Sequence, residues 1–259
     1  MSIDGLTKQL AEIEIEEKKL EGIYEDFKRT NKCFFFSPLD YQQDLINLVR
    51  DKRLIVAIMA NRCGKTTTAT NIIAALCLGY YPWTEDKQPT WIKPPVRIRV
   101  IASDWEKQVA NVIIPKFEEY FPKTEYVAKK NHLGIPSMFR WKNGSTIEIL
   151  THGADTQAVE GWAGDFVYVD EQIPRAMFHS NWRGLVDRKG KFLITMTALS
   201  DLWLYKEIIQ SRDPIIKNAL GYMDKISIRR NKYLDPQAIA EFEATCDPKP
   251  RSARIEGNW

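Results

Sequence analysis

Over residues 6–27 the apolar positions Leu6, Leu10, Ile13, Leu20, Tyr24 and Phe27 recur at helical spacing, and Leu6, Ile13, Leu20 and Phe27 stand seven apart. That rhythm predicts one amphipathic helix. Its stripe is expected to pack on its own domain; a partner-binding coiled coil is the alternative, and it usually needs more heptads. After Ser37-Pro38, "LDYQQDLINLVRD" predicts a second amphipathic helix. From residue 53 the pattern alternates. "RLIVAIMA" (53–60) is a short apolar run bounded by charge and then by a Gly-containing turn, as in a buried parallel strand. "KTTTATNIIAALCLG" continues as a helix ending near Gly79.

"YPWTEDKQPTWIKPP" (81–95) reads as a surface loop, "VRIRVIAS" (96–103) as the next strand and "DWEKQVANVIIPKFEEYF" as a helix. Asn143-Gly144, between the alternating runs of "MFRWKNGSTIEIL", signals a hairpin. "DFVYVDE" (165–171) and "KFLITMTAL" (191–199) complete the core strands, and the last residues read as a helix and a tail packed on the sheet domain. Strands alternating with helices predict an α/β fold with a mainly parallel, helix-covered sheet and right-handed crossovers.

Composition changes this picture little. With 44% hydrophobic and 27% charged residues the chain has material for a sizeable core, and its net charge of +3 is too mild to demand a polyanion. Residues 1–30 are the exception: eight acids against five bases leave +6 for the remainder. Cys33, Cys63, Cys77 and Cys246 form no C-x-x-C pair, so neither a zinc site nor a disulfide framework is expected, and the expected home is a reducing, intracellular compartment. No signal peptide or membrane-spanning run is apparent.

The candidate chemistry begins at "ANRCGKTT". A phosphate cradle needs consecutive backbone N–H groups at a helix N-terminus. Asn61, Arg62, Cys63, Gly64, Lys65, Thr66 and Thr67 supply such a loop. Gly64 permits close approach, Lys65 offers a cation to β- and γ-phosphates, and the Thr66 hydroxyl can ligate Mg²⁺. Met59 stands where the pattern has its first glycine, at a strand end where ordinary extended backbone suffices. Arg62 can take phosphate bidentately or face solvent. At the end of "FVYVDE", Asp170 would hold Mg²⁺ and Glu171 would orient or deprotonate the attacking water. In "ITMTA", Thr195 and Thr197 share one side of a strand expected between the other two, placing a hydroxyl near the γ-phosphate; plain β-branched packing is the competing reading. Gln42 and Gln43, after Tyr41, could read the adenine edge. Arg140, Arg175, Arg183 and Arg188 are candidates for an arginine delivered by a neighbouring subunit.

In that order, "ANRCGKT", "VYVDE" and "ITMTA" resemble the ATPase domain of the large terminase subunit of tailed bacteriophages, as do Tyr41-Gln42, "AVEGWAGDFVYVDE" and "RIEGNW". The resemblance covers most of residues 36–259. It implies a RecA-like P-loop fold with the P-loop strand flanked by the catalytic strand, and a small lid from N- and C-terminal segments. The expected division is residues 1–35 (helix, part of the lid), 36–225 (ATPase core) and 226–259 (lid or linker). It further implies Lys65 and Thr66 on phosphates and Mg²⁺, Asp170 on Mg²⁺, Glu171 as base, Arg62 as the P-loop arginine and Thr195–Thr197 as coupling motif. The implied function is an ATP-hydrolysing, Mg²⁺-dependent motor that drives double-stranded DNA into a procapsid in the host cytoplasm. It would work as a homo-oligomeric ring with portal protein and small terminase subunit, and be a monomer in solution. An RNase H-like nuclease usually follows this domain in the family; none is expected within these residues. A helicase or remodeller, which generally needs a second such core, and a non-enzymatic DNA-binding scaffold are the rival readings.

Overall fold

The structure, a computed structural model, describes residues 3–155, 159–199 and 202–259, with backbone only for 3–12 and 202. The side chains of Leu6 and Leu10, and Ala158 of "AVEGWAGD", lie outside the described set. The chain runs through α1 (Ile3–Thr30), α2 (Asp40–Asp51), β1 (Leu54–Met59), α3 (Lys65–Leu78), β2 (Arg97–Ala102), α4 (Ile114–Tyr120), β3 (Tyr126–Lys130), β4 (Pro136–Trp141) and β5 (Thr146–Thr151). β6 (Phe166–Asp170), α5 (Arg175–Arg183), β7 (Lys191–Met196), α6 (Pro214–Ala219), β8 (Leu220–Ile226) and α7 (Pro236–Thr245) follow. The strands form one sheet in the order β3-β4-β5-β2-β6-β7-β1-β8. β5, β2, β6, β7, β1 and β8 run parallel, while β3 and β4 add an antiparallel edge.

Every residue of β1, β6 and β7 is buried, because helices cover both faces there. On one face α2, α3 and α4 pack Leu45, Val49, Ile72 and Phe117 against Ala57, Val100 and Tyr168. On the other, Met177 and Phe178 of α5 with Leu204 and Ile208 cover Val56, Val167 and Ile194. This second cover stops short. Toward β3 that face carries Arg97, Glu148, Arg140, Met138 and Val127, and among the described residues no helix packs on this part of it.

Three local expectations change, and the expected hairpin gains its detail. The stripe of α1 does not pack on its own domain: Ile13, Leu20 and Ile23 are each more than half exposed. Near its end Tyr24 and Phe27 touch Phe34 and Phe35. The 81–95 segment is a loop but not a solvated one, since Tyr81 and Thr90 are buried and Trp83 packs edge-on to Phe36 at 5.1 Å. The helix over 104–121 opens as a π-helical segment, Trp105–Ile113, with the Ile114 amide donating to the Val109 carbonyl five residues back. Pro115, which has no N–H to continue the ladder, marks the change to α. In the β4–β5 hairpin Gly144 is left-handed (φ 88°), and the Trp141 amide donates to Ser145 across a three-residue loop.

Candidate nucleotide site

The parallel strands carry the site at their C-terminal edge. β7 lies between β1 and β6, so the loop after β1 and the acids ending β6 face each other across the end of β7. Met59 closes β1 as a fully buried strand residue; the left-handed positions come later, at Arg62 (φ 60°) and Gly64 (φ 72°). Gly64 caps α3 without a side-chain hydrogen bond, leaving the first-turn amides of that helix open to a ligand. A Cβ at Gly64 would stand 2.5 Å from Gln42 Nε2 as well as requiring left-handed backbone.

Lys65 is buried and its ammonium is fully engaged. It donates to the carbonyls of Met59 (3.2 Å) and Ala60 (3.2 Å) and to Thr197 Oγ1 (2.8 Å), and lies 3.5 Å from Glu171 Oε1. Thr197 donates in turn to Asn61 Oδ1 (3.1 Å), and its amide donates to Glu171 Oε2 (2.8 Å). Glu171 holds a left-handed conformation (φ 73°), a strained setting for a non-glycine residue, which turns its carboxylate back over the end of β7. Burial pushes the Glu171 carboxyl above the ordinary range, against the opposing pull of Lys65 and the Thr197 amide.

Asp170 is tied in three directions. Its Oδ1 accepts from the Thr66 hydroxyl (3.1 Å) and the Tyr168 hydroxyl (2.5 Å), and its Oδ2 from Gln108 Nε2 (3.2 Å). Thr195, paired with Asp170 in the sheet register, hydrogen-bonds the Tyr168 hydroxyl at 3.1 Å instead of reaching the loop. The two threonines expected to act together thus have different partners. Burial and the neighbouring Asp170 raise the Tyr168 phenol, so it remains a donor. Thr66 and Asp170 present hard oxygens side by side, the donor type a Mg²⁺ bound mainly through phosphates and water requires.

Two clefts meet at Gly64 and Thr67. One, of about 1020 Å³, is lined by Arg62, Lys65, Thr66, Asp170, Glu171 and Gln108; the other, of about 930 Å³, by Leu39, Gln42, Phe36, Tyr120 and Tyr233. A family model described as terminase large subunit, T4likevirus-type, N-terminal matches residues 56–259. The chain belongs to this terminase family. Among solved structures it resembles the large terminase of a thermophilic bacteriophage in complex with ADP (TM-score 0.64, 14% identity), covering 86% of this chain and 54% of that one. The same phage's terminase with ATP-γ-S gives 0.62 at 17% identity, covering 86% and 53%. The large terminase ATPase domain of Thermus phage P74-26 gives 0.60 at 14%, covering 88% and 96%. These likenesses show a shared terminase ATPase-domain fold, a RecA-like α/β sheet; the chain spans about half the length of the terminase solved with ADP.

Against this terminase fold, several expected site residues stand elsewhere. Gln42 lies against Gly64, but its Oε1 accepts from the Leu39 amide (2.9 Å), leaving only its N–H groups for a base. Gln43 is exposed and bonds Asn47 along its own helix (3.1 Å), away from both clefts. Tyr41 is fully buried and lines neither cleft; the Arg230 guanidinium sits 5.2 Å from its ring. Both corrections follow from helix geometry, since neighbours on α2 point about 100° apart and only one of three can face the loop. The Cys63 side chain is buried against the Ile226 carbonyl (3.5 Å), its thiol raised to about 11 by burial, so only its backbone faces the cleft. Of the arginine candidates, Arg175 binds Glu207, Arg183 binds Glu160 and Arg188 binds the buried Asp165, whereas Arg140 has no carboxylate within 4.0 Å among the described residues.

The sequence reading missed Tyr168, Gln108 and the C-terminal contacts of the loop. Tyr168 was legible: two residues before Asp170 on a strand, it shares that residue's face. Gln108 had no signal, because the π-helical turn that aims it cannot be seen in the pattern. The loop is also pinned by distant chain: Ala60 donates to Ile226 (2.9 Å), Asn61 to Arg254 (3.0 Å), and Asn231 Nδ2 to the Arg62 carbonyl (2.6 Å).

Proposed function

We propose that this chain is the ATP-hydrolysing motor of a DNA-packaging terminase, moving double-stranded DNA into a procapsid as a ring together with portal protein and small terminase subunit. The observation that carries the reading is the junction of Lys65, Thr197 and Glu171 across three adjacent strands. That relatives of this fold were solved with ADP and ATP-γ-S supports ATP as the ligand.

The open amides at the start of α3 take the phosphates, and Lys65 exchanges its bonds to the Met59 and Ala60 carbonyls for phosphate oxygens. Thr66 and Asp170 would hold Mg²⁺, which supplies charge neutralisation at the phosphates. Glu171, steadied through Oε2 by the Thr197 amide, keeps Oε1 to orient a water and accept its proton; its raised affinity for protons suits a base working near neutral pH. Arg62, exposed at the cleft mouth, stabilises phosphate charge. Thr197, touching Lys65, Asn61 and Glu171 together, senses phosphate loss. The second cleft, with Gln42 donating, receives the base. Residues 226–259, which pin the loop after β1, form the lid on the 36–225 core, and the working place is the host cytoplasm.

Phosphate release from Mg-ATP tests this. Lys65→Ala and Glu171→Ala should fall to background with unchanged circular dichroism, while wild-type turnover per chain should rise with protein concentration or added portal. Near-normal turnover by Glu171→Ala would refute its role as base.

A further inference from the structure

Among the described residues two surfaces lack a packing partner, and they complement each other. The first is the face of α1. On a helix, Ile13, Leu20, Ile23, Tyr24 and Phe27 fall within an arc of about 100°, and each is at least 44% exposed. The surrounding helix is acidic, with net −3 over residues 1–30. The second is the helix-free part of that sheet face, from Arg97 at the start of β2 and Glu148 of β5 across β4 and β3. Val127, 70% exposed, stands there opposite Arg140, and Lys129 opposite Met138, beside a groove of about 500 Å³ lined also by Arg97, Thr146 and Trp162. Residues 122–146 hold five bases (Lys123, Lys129, Lys130, Arg140, Lys142) against Glu125, more positive charge than the whole chain's +3. Glu148, the acid in the groove, is taken up by buried Arg99 at 2.8 Å. Lys123, Lys129, Lys130 and Arg140 have no carboxylate within 4.0 Å among the described residues.

We propose that α1 of one copy lies across this face of the next copy, supplying the helical layer that the sheet lacks at that end. The inference deepens the ring assembly proposed above. The dimensions match: Ile13 to Phe27 spans about 21 Å, and a six-residue strand about 20 Å. The helix cannot reach the same face of its own sheet. It is continuous to Thr30, and Cys33 and Phe36 just beyond it are anchored in the core on the opposite, helix-covered face. The contact joins two different patches, so it is head-to-tail and propagates or closes into a ring. Val127 is exposed and Met138 half-buried beside it, and this apolar surface favours a protein occupant of the basic face over a nucleic acid, whose backbone would leave it uncovered.

Sedimentation velocity of the full chain without nucleotide or DNA reads the contact independently of hydrolysis. Wild type should associate with rising concentration. Leu20→Glu/Ile23→Glu and Val127→Glu/Arg140→Glu should each weaken association about tenfold or more, with unchanged circular dichroism because all four residues are exposed. Mixed in equal amounts, the two double variants retain one intact helix and one intact face, so they should form a heterodimer and nothing larger. Wild type that stays monomeric overturns the proposal. So does association sensitive to the α1 changes alone, which means a coiled coil, or a face variant that assembles normally yet loses duplex DNA binding. Assembly by a chain that hydrolyses no ATP would sink the motor reading and leave this interface standing.

Discussion

Replacing Thr197 by valine separates the two threonines that the sequence pairs. Valine keeps the branched shape and volume and removes one hydroxyl, which accepts from Lys65 at 2.8 Å and donates to Asn61 at 3.1 Å. Thr197 is 2% exposed, so water cannot replace those bonds in place. A hydrogen bond involving a charged group contributes about 1.5–3 kcal/mol and a neutral one about 1. Lys65 keeps two carbonyls and Glu171, so the loss should sit near the lower end, about 2 kcal/mol in total. In a chain of this size that corresponds to roughly 4–8 °C in melting temperature. If the same bonds position Lys65 in the transition state, 2 kcal/mol is also a loss of about 30-fold in kcat. Thr195→Val is the control: it loses one neutral bond, to Tyr168, and does not touch the loop. It should cost about 1 kcal/mol in stability and change kcat far less. Thermal melts paired with steady-state phosphate release measure both quantities. Equal kcat losses in the two variants would refute the assignment of the sensing contact to Thr197.

Glu171→Gln should lower kcat by about 10²–10⁴-fold yet modestly stabilise the nucleotide-free chain at neutral pH. The folded carboxyl binds its proton more tightly than the unfolded one, so wild-type stability declines as pH rises from the ordinary carboxylate value through the raised one, and is level above it. Chemical denaturation at several pH values should show that decline in wild type and not in the variant, and the acid limb of hydrolysis should lie above the usual carboxylate range. Lys191 is the opposite case: burial lowers its ammonium to about 8 while it donates to the Val49 and Arg50 carbonyls. The unfolded chain then holds more protons between pH 8 and the free-lysine value, so stability should rise over that interval by up to about 3 kcal/mol; a flat profile there, or the same slope in Lys191→Met, would contradict this. Gly79→Ala and Gly64→Ala both force a side chain into left-handed backbone, at φ 85° and 72°. Each should cost about 1–2 kcal/mol, but only Gly64→Ala, whose Cβ would displace Gln42, should weaken binding of a fluorescent ATP analogue.

What the sequence determined by itself was everything carried by period and by short spacing. Short apolar runs foretold β1, β6 and β7, because a strand buried on both faces has no polar side to show, and β2 was legible although Arg97 and Arg99 alternate along one of its sides. Asn143-Gly144 foretold the hairpin, and Gly64-Lys65 foretold a turn into α3, because a loop that exposes helix amides needs a left-handed glycine next to its lysine. What lay beyond local pattern was decided only when the sheet brought distant residues together. The partition between Thr195 and Thr197 depends on β7 lying between β1 and β6, an ordering no window of sequence contains. Gln108 reaches Asp170 only through the wider π-helical turn, and Gln43 turns from the cleft because successive helical residues diverge. The exposure of α1 is a tertiary fact as well. An apolar stripe states that something must cover it, but its own anchoring turn sits on the far side of the sheet from the basic face proposed to do so.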